Sequence, residues 1–241
     1  MTYTSIDNEH IKEIKKLNKK KYRDLSNKFI VEGEHLVLEA IKSNKIDEVL
    51  LLEGTSINYN GKVNYVNEKV LKYITELDNP SKIIGICHKK NDLITGDKIL
   101  ILDDIQDPGN LGTIIRSAVA FNIDTIIISK ESVDLYNSKV LRSTQGMIFN
   151  INIVISDLKE EINKLKKKNY KILTTQVDGG KLIKSIEKNE KFAIIMGNEG
   201  KGVSNALKEL SDEYIYIPMN EKCESLNVAV ATSIILYELS R

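Results

Sequence analysis

Short apolar runs alternate along this chain with stretches whose apolar positions recur at helical spacing. Residues 29–31, 49–52, 63–66 and 83–87 are brief β-rich runs, and residues 34–43 and 70–77 read as helices between them. The alternation predicts a small α/β unit ending near Lys90, and the turn-rich stretch 91–97 follows it. A second series opens at residues 99–102, an unbroken apolar run of the kind found in a sheet covered on both faces. Residues 125–129, 150–154, 171–175, 192–196 and 214–219 read as its further strands. The helices predicted among them include one with Ile114, Ile115, Ala118 and Val119 on its apolar face. Others are a short helix holding Lys139 and Arg142, one over residues 157–168, and one from Ser204 to about Leu210. Residues 177–190 read as a polar excursion. Ser225 is read as the cap of a last helix, whose face runs through Leu226, Ala229, Val230, Ser233, Ile234 and Tyr237. That helix is apolar on most sides, so burial against a sheet is expected, with a second subunit as a further neighbour.

Composition narrows the class. With 241 residues, 41% hydrophobic and 29% charged, the chain suits a soluble protein of one or two domains with a sizeable core. Its formal net charge is +1, so affinity for nucleic acid must come from local patches. The first ten residues are polar and no apolar run nears the roughly 18 residues of a membrane span, so a cytoplasmic location is expected. Cys87 and Cys223 lie far apart without metal-ligand spacing, and the histidines are only His10, His35 and His88; no metal is expected. Residues 10–28 carry Lys12, Lys15, Lys16, Lys19, Lys20, Lys21, Arg23 and Lys28 against Glu13 and Asp24. With Ile11, Ile14 and Leu17 at helical spacing, they predict one basic amphipathic helix running into a loop. Such a run either contacts phosphates or is simply a solvated face.

Three stretches carry candidate chemistry. Residues 107–121 follow the strand at 99–102; Pro108 and Gly109 are read as a turn, Asn110 as a cap or a ligand, and Arg116 falls off the buried helix face. A strand, a glycine turn and a helix form phosphate and nucleotide sites, although Gly109 and Gly112 do not make the dinucleotide fingerprint. Residues 197–204 hold three glycines, which let backbone approach a ligand closely. Val203 breaks the phosphate-loop pattern, and Glu199 better suits a cation, a ribose hydroxyl or an arginine. The third stretch places Glu224, Ser225 and Asn227 at the start of an apolar helix; taken alone it reads as a core helix with an ordinary cap, or as polar groups that meet a partner there, since unpaired ones are costly when buried.

Together the three stretches resemble the SpoU (TrmH-type) family of RNA 2′-O-ribose methyltransferases, in the SPOUT superfamily, over nearly the whole chain. Residues 107–116 resemble its first motif, with Asn110 and Arg116; residues 196–202 its second, with Glu199; residues 217–231 its third, with Ser225 and Asn227. Residues 136–149 resemble the intervening Lys-Val-x-Arg-x-Ser-x-Gly-x-x-Phe segment, with Thr144 where serine is usual and Gln145 where a smaller residue is typical. Residues 29–33 resemble the opening of the family's N-terminal RNA-binding domain.

The resemblance implies an α/β fold: an RNA-binding domain over residues 1–92, a linker at 93–97, and a SPOUT domain over 98–241 with a parallel sheet and a deep trefoil knot. It implies a homodimer through the C-terminal domain and S-adenosylmethionine as cofactor. Thr175, Gly197, Asn198, Gly200, Ile217, Met219 and Leu226 are the implied cofactor contacts, and Asn110, Arg116, Glu199, Ser225 and Asn227 the catalytic set. Lys20, Lys21, Arg23, Lys28, Lys139 and Arg142 are the RNA contacts expected with it. Arg116 is read as a base or, since guanidinium resists deprotonation, as a cation held by an ion pair with Glu199. The expected substrate is structured RNA, ribosomal rather than transfer RNA. The alternatives are a tRNA 2′-O-methyltransferase and a non-catalytic RNA-binding or ribosome-assembly protein on the same fold.

Overall fold

Branched aliphatic residues fill most of the predicted apolar runs, and in the computed structural model the runs near residues 29–31, 49–52, 83–87, 99–102, 125–129, 171–175 and 192–196 become strands buried along most of their length. The structure describes residues 1–177, 179–186 and 190–240; of the polar excursion at 177–190, positions 178 and 187–189 lie outside the described residues. In chain order come β1 (Thr2–Tyr3), α1 (Glu9–Lys16), α2 (Lys20–Ser26), β2 (Lys28–Glu32), α3 (Glu34–Lys42), β3 (Ile46–Leu52), β4 (Val63–Val66), α4 (Glu68–Ile74) and β5 (Ile83–His88). There follow β6 (Lys98–Leu102), α5 (Pro108–Ala120), β7 (Thr125–Ser129), α6 (Ser138–Ser143), β8 (Asn152–Ser156), α7 (Leu158–Lys167) and β9 (Lys171–Thr175). The chain ends with β10 (Lys181–Leu182), β11 (Phe192–Met196), α8 (Asn205–Lys208), β12 (Glu213–Tyr216) and α9 (Val228–Ser240). No helix among the described residues is long and apolar enough to cross a membrane.

The chain divides into two units. The first comprises Met1–Lys90 and Asp134–Asn150; the second comprises Asn91–Val133 and the described residues from Ile151 onward. The first is a mixed sheet in the order β1-β4-β3-β5-β2, in which β5 runs antiparallel to both β3 and β2. One face carries Ile30, Leu50 and Ile84 against Ile11, Ile14 and Leu17 of the N-terminal segment and Val70 and Ile74 of α4. Side chains alternate along β2, so Phe29 and Val31 face the other way. There the Phe29 ring meets Tyr136 at 4.5 Å and Phe149 at 6.3 Å. This aromatic contact is why residues 134–150 join the first unit, although the sequence reading keeps them with the C-terminal domain.

The predicted single basic helix is two, α1 and α2. Arg23 explains the second: it is only 6% exposed, and its Nη1 donates to the carbonyls of Leu17 and Asn18, each at 2.8 Å. These bonds fold α2 back over the end of α1.

The second unit is an all-parallel sheet in the order β10-β12-β9-β11-β6-β7-β8. Ile99, Ile101, Ile127, Ala193 and Ile195 pack against Leu158, Ile162 and Leu165 of α7. Leu100, Leu102, Ile126 and Ile194 alternate to the opposite face and are buried as well, so β6, β7 and β11 read as continuous apolar runs. Helices α5 and α9 pack on one another, with the Ser117 and Ser233 hydroxyls 2.7 Å apart. The stretch 91–97 is bonded along this unit: Asp92 accepts from the Ile153 amide at 2.9 Å, and Thr95 O accepts from the Thr125 hydroxyl at 2.7 Å.

Two expectations for the last stretch change. Strand β12 ends at Tyr216, so residues 217–219 are irregular. Helix α9 starts at Val228 and not at Ser225, capped by Asn227, whose Oδ1 accepts from the amides of Ala229 at 2.9 Å and Val230 at 3.3 Å. A cap of this kind contributes about 1 kcal/mol. The buried face is Val228, Ala229, Thr232, Ile235 and Leu236, while Val230 and Tyr237 are 48% and 47% exposed. Nearly uniform apolarity around this helix leaves periodicity with little to select.

Candidate active site

Parallel neighbours β6 and β11 run in register to Leu102 and Met196, so the loops that follow them start side by side. The amide of Asp103 donates to Met196 O at 2.9 Å. Within the second loop Asn198 and Gly202 exchange backbone bonds of 3.1 and 2.9 Å. The Asn198 side chain accepts from the amides of Gly200 and Lys201 and donates to Asp104 O at 2.8 Å. Gly202 adopts φ +69°, which side chains rarely tolerate. The result is a closed turn that presents Glu199 to the start of α5.

Pro108 and Gly109 form the first turn of α5 and not a separate turn before it. The N-cap is Asp107, whose Oδ1 accepts from the Asn110 amide at 2.8 Å; proline at the first helical position fits this. Asn110 is therefore not the cap, and its side chain is available elsewhere. Its Nδ2 donates to Glu199 Oε1 at 3.0 Å, and its Oδ1 accepts from Asn227 Nδ2 at 2.9 Å. Glu199 also accepts from the amides of Gln106 at 3.3 Å and Asp107 at 3.2 Å. One carboxylate and two carboxamides thus tie three separate loops together beside a helix N-terminus, where the backbone dipoles favour negative charge.

Burial works against ionisation of Glu199. The hydrogen bonds from Asn110 and from the amides of Glu199 itself, Asp107 and Gln106 outweigh it and hold the carboxyl below its ordinary 4.5. With the folded pKa below the unfolded one, this stabilisation is complete above about pH 4.5 and disappears as pH falls through the folded value. Thermal melts from about pH 7 to pH 3 are expected to show Glu199→Gln losing less stability than the wild type below pH 4.5. Parallel profiles would exclude the bonded carboxylate as a source of acid sensitivity.

The expected Glu199–Arg116 ion pair does not form, because the Glu199 oxygens are taken by Asn110 and the helix amides. Arg116 lies six residues beyond Asn110, about 9 Å further along the axis at 1.5 Å per residue. It is exposed, and its side chain makes no hydrogen bond or ion pair among the described residues.

Beside this network lies a cavity of about 440 Å³, walled by the ends of β9, β11 and β12, the irregular stretch before α9, and α9 itself. Thr175, Gly197, Asn198, Gly200, Ile217, Met219 and Leu226 all line it, as do Glu199 and Ser225. Asn110 and Asn227 join it through Glu199 and their mutual bond; Arg116 is not part of its wall. The sequence reading missed Gln176, Lys201, Lys208, Val228 and Ile235. Gln176 and Lys201 adjoin residues that were named, whereas Val228 and Ile235 look like ordinary core.

The six expected RNA contacts divide. Arg23 is a structural residue: it is buried and ion-paired with Asp134, so it cannot meet a phosphate without leaving that pair. Lys28 pairs with Asp47, and Lys20 with Asp24 at 2.7 Å. Lys21 and Lys139 are exposed, and Arg142 is half-buried.

Comparison with known proteins identifies the family. The model described as the SpoU rRNA Methylase family matches residues 97–237, and the one described as an MRM3-like substrate binding domain matches residues 8–85. The chain is 40% identical to the 23S rRNA (guanosine(2553)-2'-O)-methyltransferase RlmP of Bacillus subtilis, over 98% of this chain and 97% of that protein. It also superposes on an rRNA methyltransferase from Sinorhizobium meliloti at a TM-score of 0.88 with 31% identity, over 99% of this chain and 96% of that one. The AdoMet-bound structure of a Sinorhizobium meliloti rRNA methyltransferase gives a TM-score of 0.87 at 31% identity, over 99% and 97% of the two chains. A family match over more than half of the chain, joined to a relative alike from end to end, places this chain in the SpoU rRNA methylase family.

Proposed function

We propose that this protein transfers a methyl group from S-adenosylmethionine to a ribose 2′-hydroxyl of ribosomal RNA. The observation that carries the reading is the cavity, which gathers all seven expected cofactor residues beside an ionised glutamate. The residues present suit that cofactor. A volume of about 440 Å³ lies in the range of small-molecule sites, about 300–1,000 Å³. Met219, Leu226, Val228 and Ile235 offer apolar surface to a purine, and Gly197 and Gly200 leave backbone groups uncovered. A carboxylate at the rim favours a sulfonium and would repel a phosphate.

The bound cofactor supplies an electrophilic methyl carbon. The chain's own residues hold the ribose hydroxyl in line with it and stabilise charge on the oxygen as its proton leaves. Asn110 and Asn227 fix one another and, with Ser225, position the hydroxyl. Glu199 holds Asn110 and the start of α5 and not Arg116. Arg116, unpaired and solvent-facing, meets the adjoining phosphate and the developing negative charge.

On this reading residues 1–92 hold RNA, residues 98–241 carry the chemistry and residues 93–97 join them. The C-terminal domain carries a deep trefoil knot. Two copies associate through the C-terminal unit, where α9 carries the exposed apolar side chain of Val230. The protein acts in the cytoplasm. Because the Bacillus subtilis relative is a 23S rRNA methyltransferase, 23S rRNA is the first substrate to test.

The test supplies purified protein with labelled S-adenosylmethionine and unmodified total RNA. Label confined to 23S rRNA, at one position resistant to alkaline cleavage, is the expected result. Cofactor binding without label in any RNA would leave a binding protein and overturn the enzymatic reading; label in transfer RNA would overturn the substrate.

A further inference from the structure

Helices α1 and α2 of the first unit border an open groove of about 370 Å³ that the chemistry above does not use. Ile14, Leu17 and Ile86 line it as apolar side chains, together with Tyr22 and Leu25 of α2. Leu25 is 74% exposed. A single exposed leucine needs no explanation, but this one stands beside a half-buried aromatic ring at an open groove. Two ammonium groups lie near that ring: Lys16 Nζ is 5.8 Å and Lys21 Nζ 5.9 Å from its centroid.

The acids around the groove already have partners within the unit. Glu13 pairs with Lys16 at 2.5 Å, and Asp47 pairs with Lys28. Glu48 is held by His10 and Lys62, each at 2.9 Å, and by Asn64 at 2.7 Å. Lys19 and Lys21, by contrast, form no ion pair among the described residues. The groove therefore has an apolar and aromatic lining, and unspent positive charge adjoins it: Lys19 and Lys21 precede Tyr22 on the same helix start, with the Lys21 ammonium 5.9 Å from the Tyr22 ring.

We propose that this groove receives an unstacked nucleobase from a single-stranded segment of the RNA substrate, with Tyr22 as its stacking face and Lys19 and Lys21 at the flanking phosphates. The inference deepens the RNA reading above and rests on it. A base presents a flat π-face with phosphates on either side, which is the pairing of surfaces found here. An apolar peptide would leave the lysines without a counter-charge, and an acidic one would leave the aromatic lining uncovered.

The chain contains no tryptophan, so Tyr22→Trp introduces its sole indole. Titration of that variant with a 23S rRNA transcript is expected to quench indole fluorescence saturably, with the midpoint found by filter binding. Tyr22→Ala is expected to bind the transcript about tenfold more weakly and to raise the RNA KM with little change in kcat. Tyr22→Phe should retain wild-type affinity, since the ring and not the hydroxyl does the stacking. Affinity for S-adenosylmethionine should stay constant throughout, which separates loss of contact from loss of fold. An indole left unquenched while the transcript binds with wild-type affinity, or a Tyr22→Ala variant with undiminished RNA affinity, would overturn the proposal. A wild-type protein that binds no RNA would overturn the underlying RNA reading itself, a result distinct from either of these.

Discussion

Replacing Arg116 with alanine is expected to slow methyl transfer by about 10²- to 10³-fold while cofactor affinity changes by less than about twofold. The separation follows from where the residue lies. Arg116 projects from the exposed side of α5, has no partner among the described residues and is absent from the cavity wall. Its removal takes no side-chain hydrogen bond or ion pair from the described residues, so stability should move by no more than about 0.5 kcal/mol. Its value is confined to the complex with RNA, where a cation can offset charge on the phosphate and on the ribose oxygen. Arg116→Lys should also fail, because a compact ammonium cannot reproduce a planar fork of donors. Single-turnover transfer from labelled cofactor, paired with calorimetric binding, measures both quantities. A variant that turns over normally would remove Arg116 from the chemistry. One that loses cofactor binding would show that α5 shapes the cavity more directly than its geometry indicates.

The chain's strands were legible because the interior ones are buried on both faces: β6, β7 and β11 each hold an unbroken apolar run, at residues 99–102, 126–128 and 192–196, with polar residues only at strand ends. The loops that bear the site were legible as motifs but not as bonds. Asp107 and Asn110 are both good caps; the proline after Asp107 marks Asp107 as the cap, yet nothing local says where the Asn110 side chain then goes. Ser225 and Asn227 pose the same ambiguity, and it is resolved by a contact between residues 117 positions apart. Glu199 was matched to the nearest motif cation, but two amides at a helix start lay closer.

Arg23 was hidden by its neighbours. In a run of exposed lysines, one guanidinium that folds inward to two carbonyls carries no sign of its own. The segment 134–150 shows the limit of reading domains as consecutive stretches. Its Tyr136 and Phe149 find their aromatic partner more than a hundred residues earlier, at Phe29.

Gly197→Ala is expected to cost about 3 kcal/mol of stability and to weaken cofactor binding by roughly two orders of magnitude. A Cβ at this position would lie 2.1 Å from Val203 N and 2.2 Å from Gly202 C. Both are backbone atoms, so no rotamer change relieves the overlap, and the chain itself must move apart. The segment that must move is the one closed by the Asn198–Gly202 bonds, so the strain spreads to the turn that presents Glu199. Gly200 provides the control: a Cβ there meets nothing nearer than Asn198 Oδ1 at 3.8 Å, and Gly200→Ala should be close to neutral in stability. Thermal unfolding of both variants, with and without S-adenosylmethionine, separates the two losses, because a ligand that binds only the folded state stabilises it by an amount that grows with the logarithm of its concentration over Kd. Gly197→Ala should melt lower without cofactor and gain little from it, whereas Gly200→Ala should track the wild type without cofactor. If Gly197→Ala gained as much as the wild type, the close approach of the two backbone segments would have relaxed without moving the cavity wall, and the cradle assigned to this loop would be wrong.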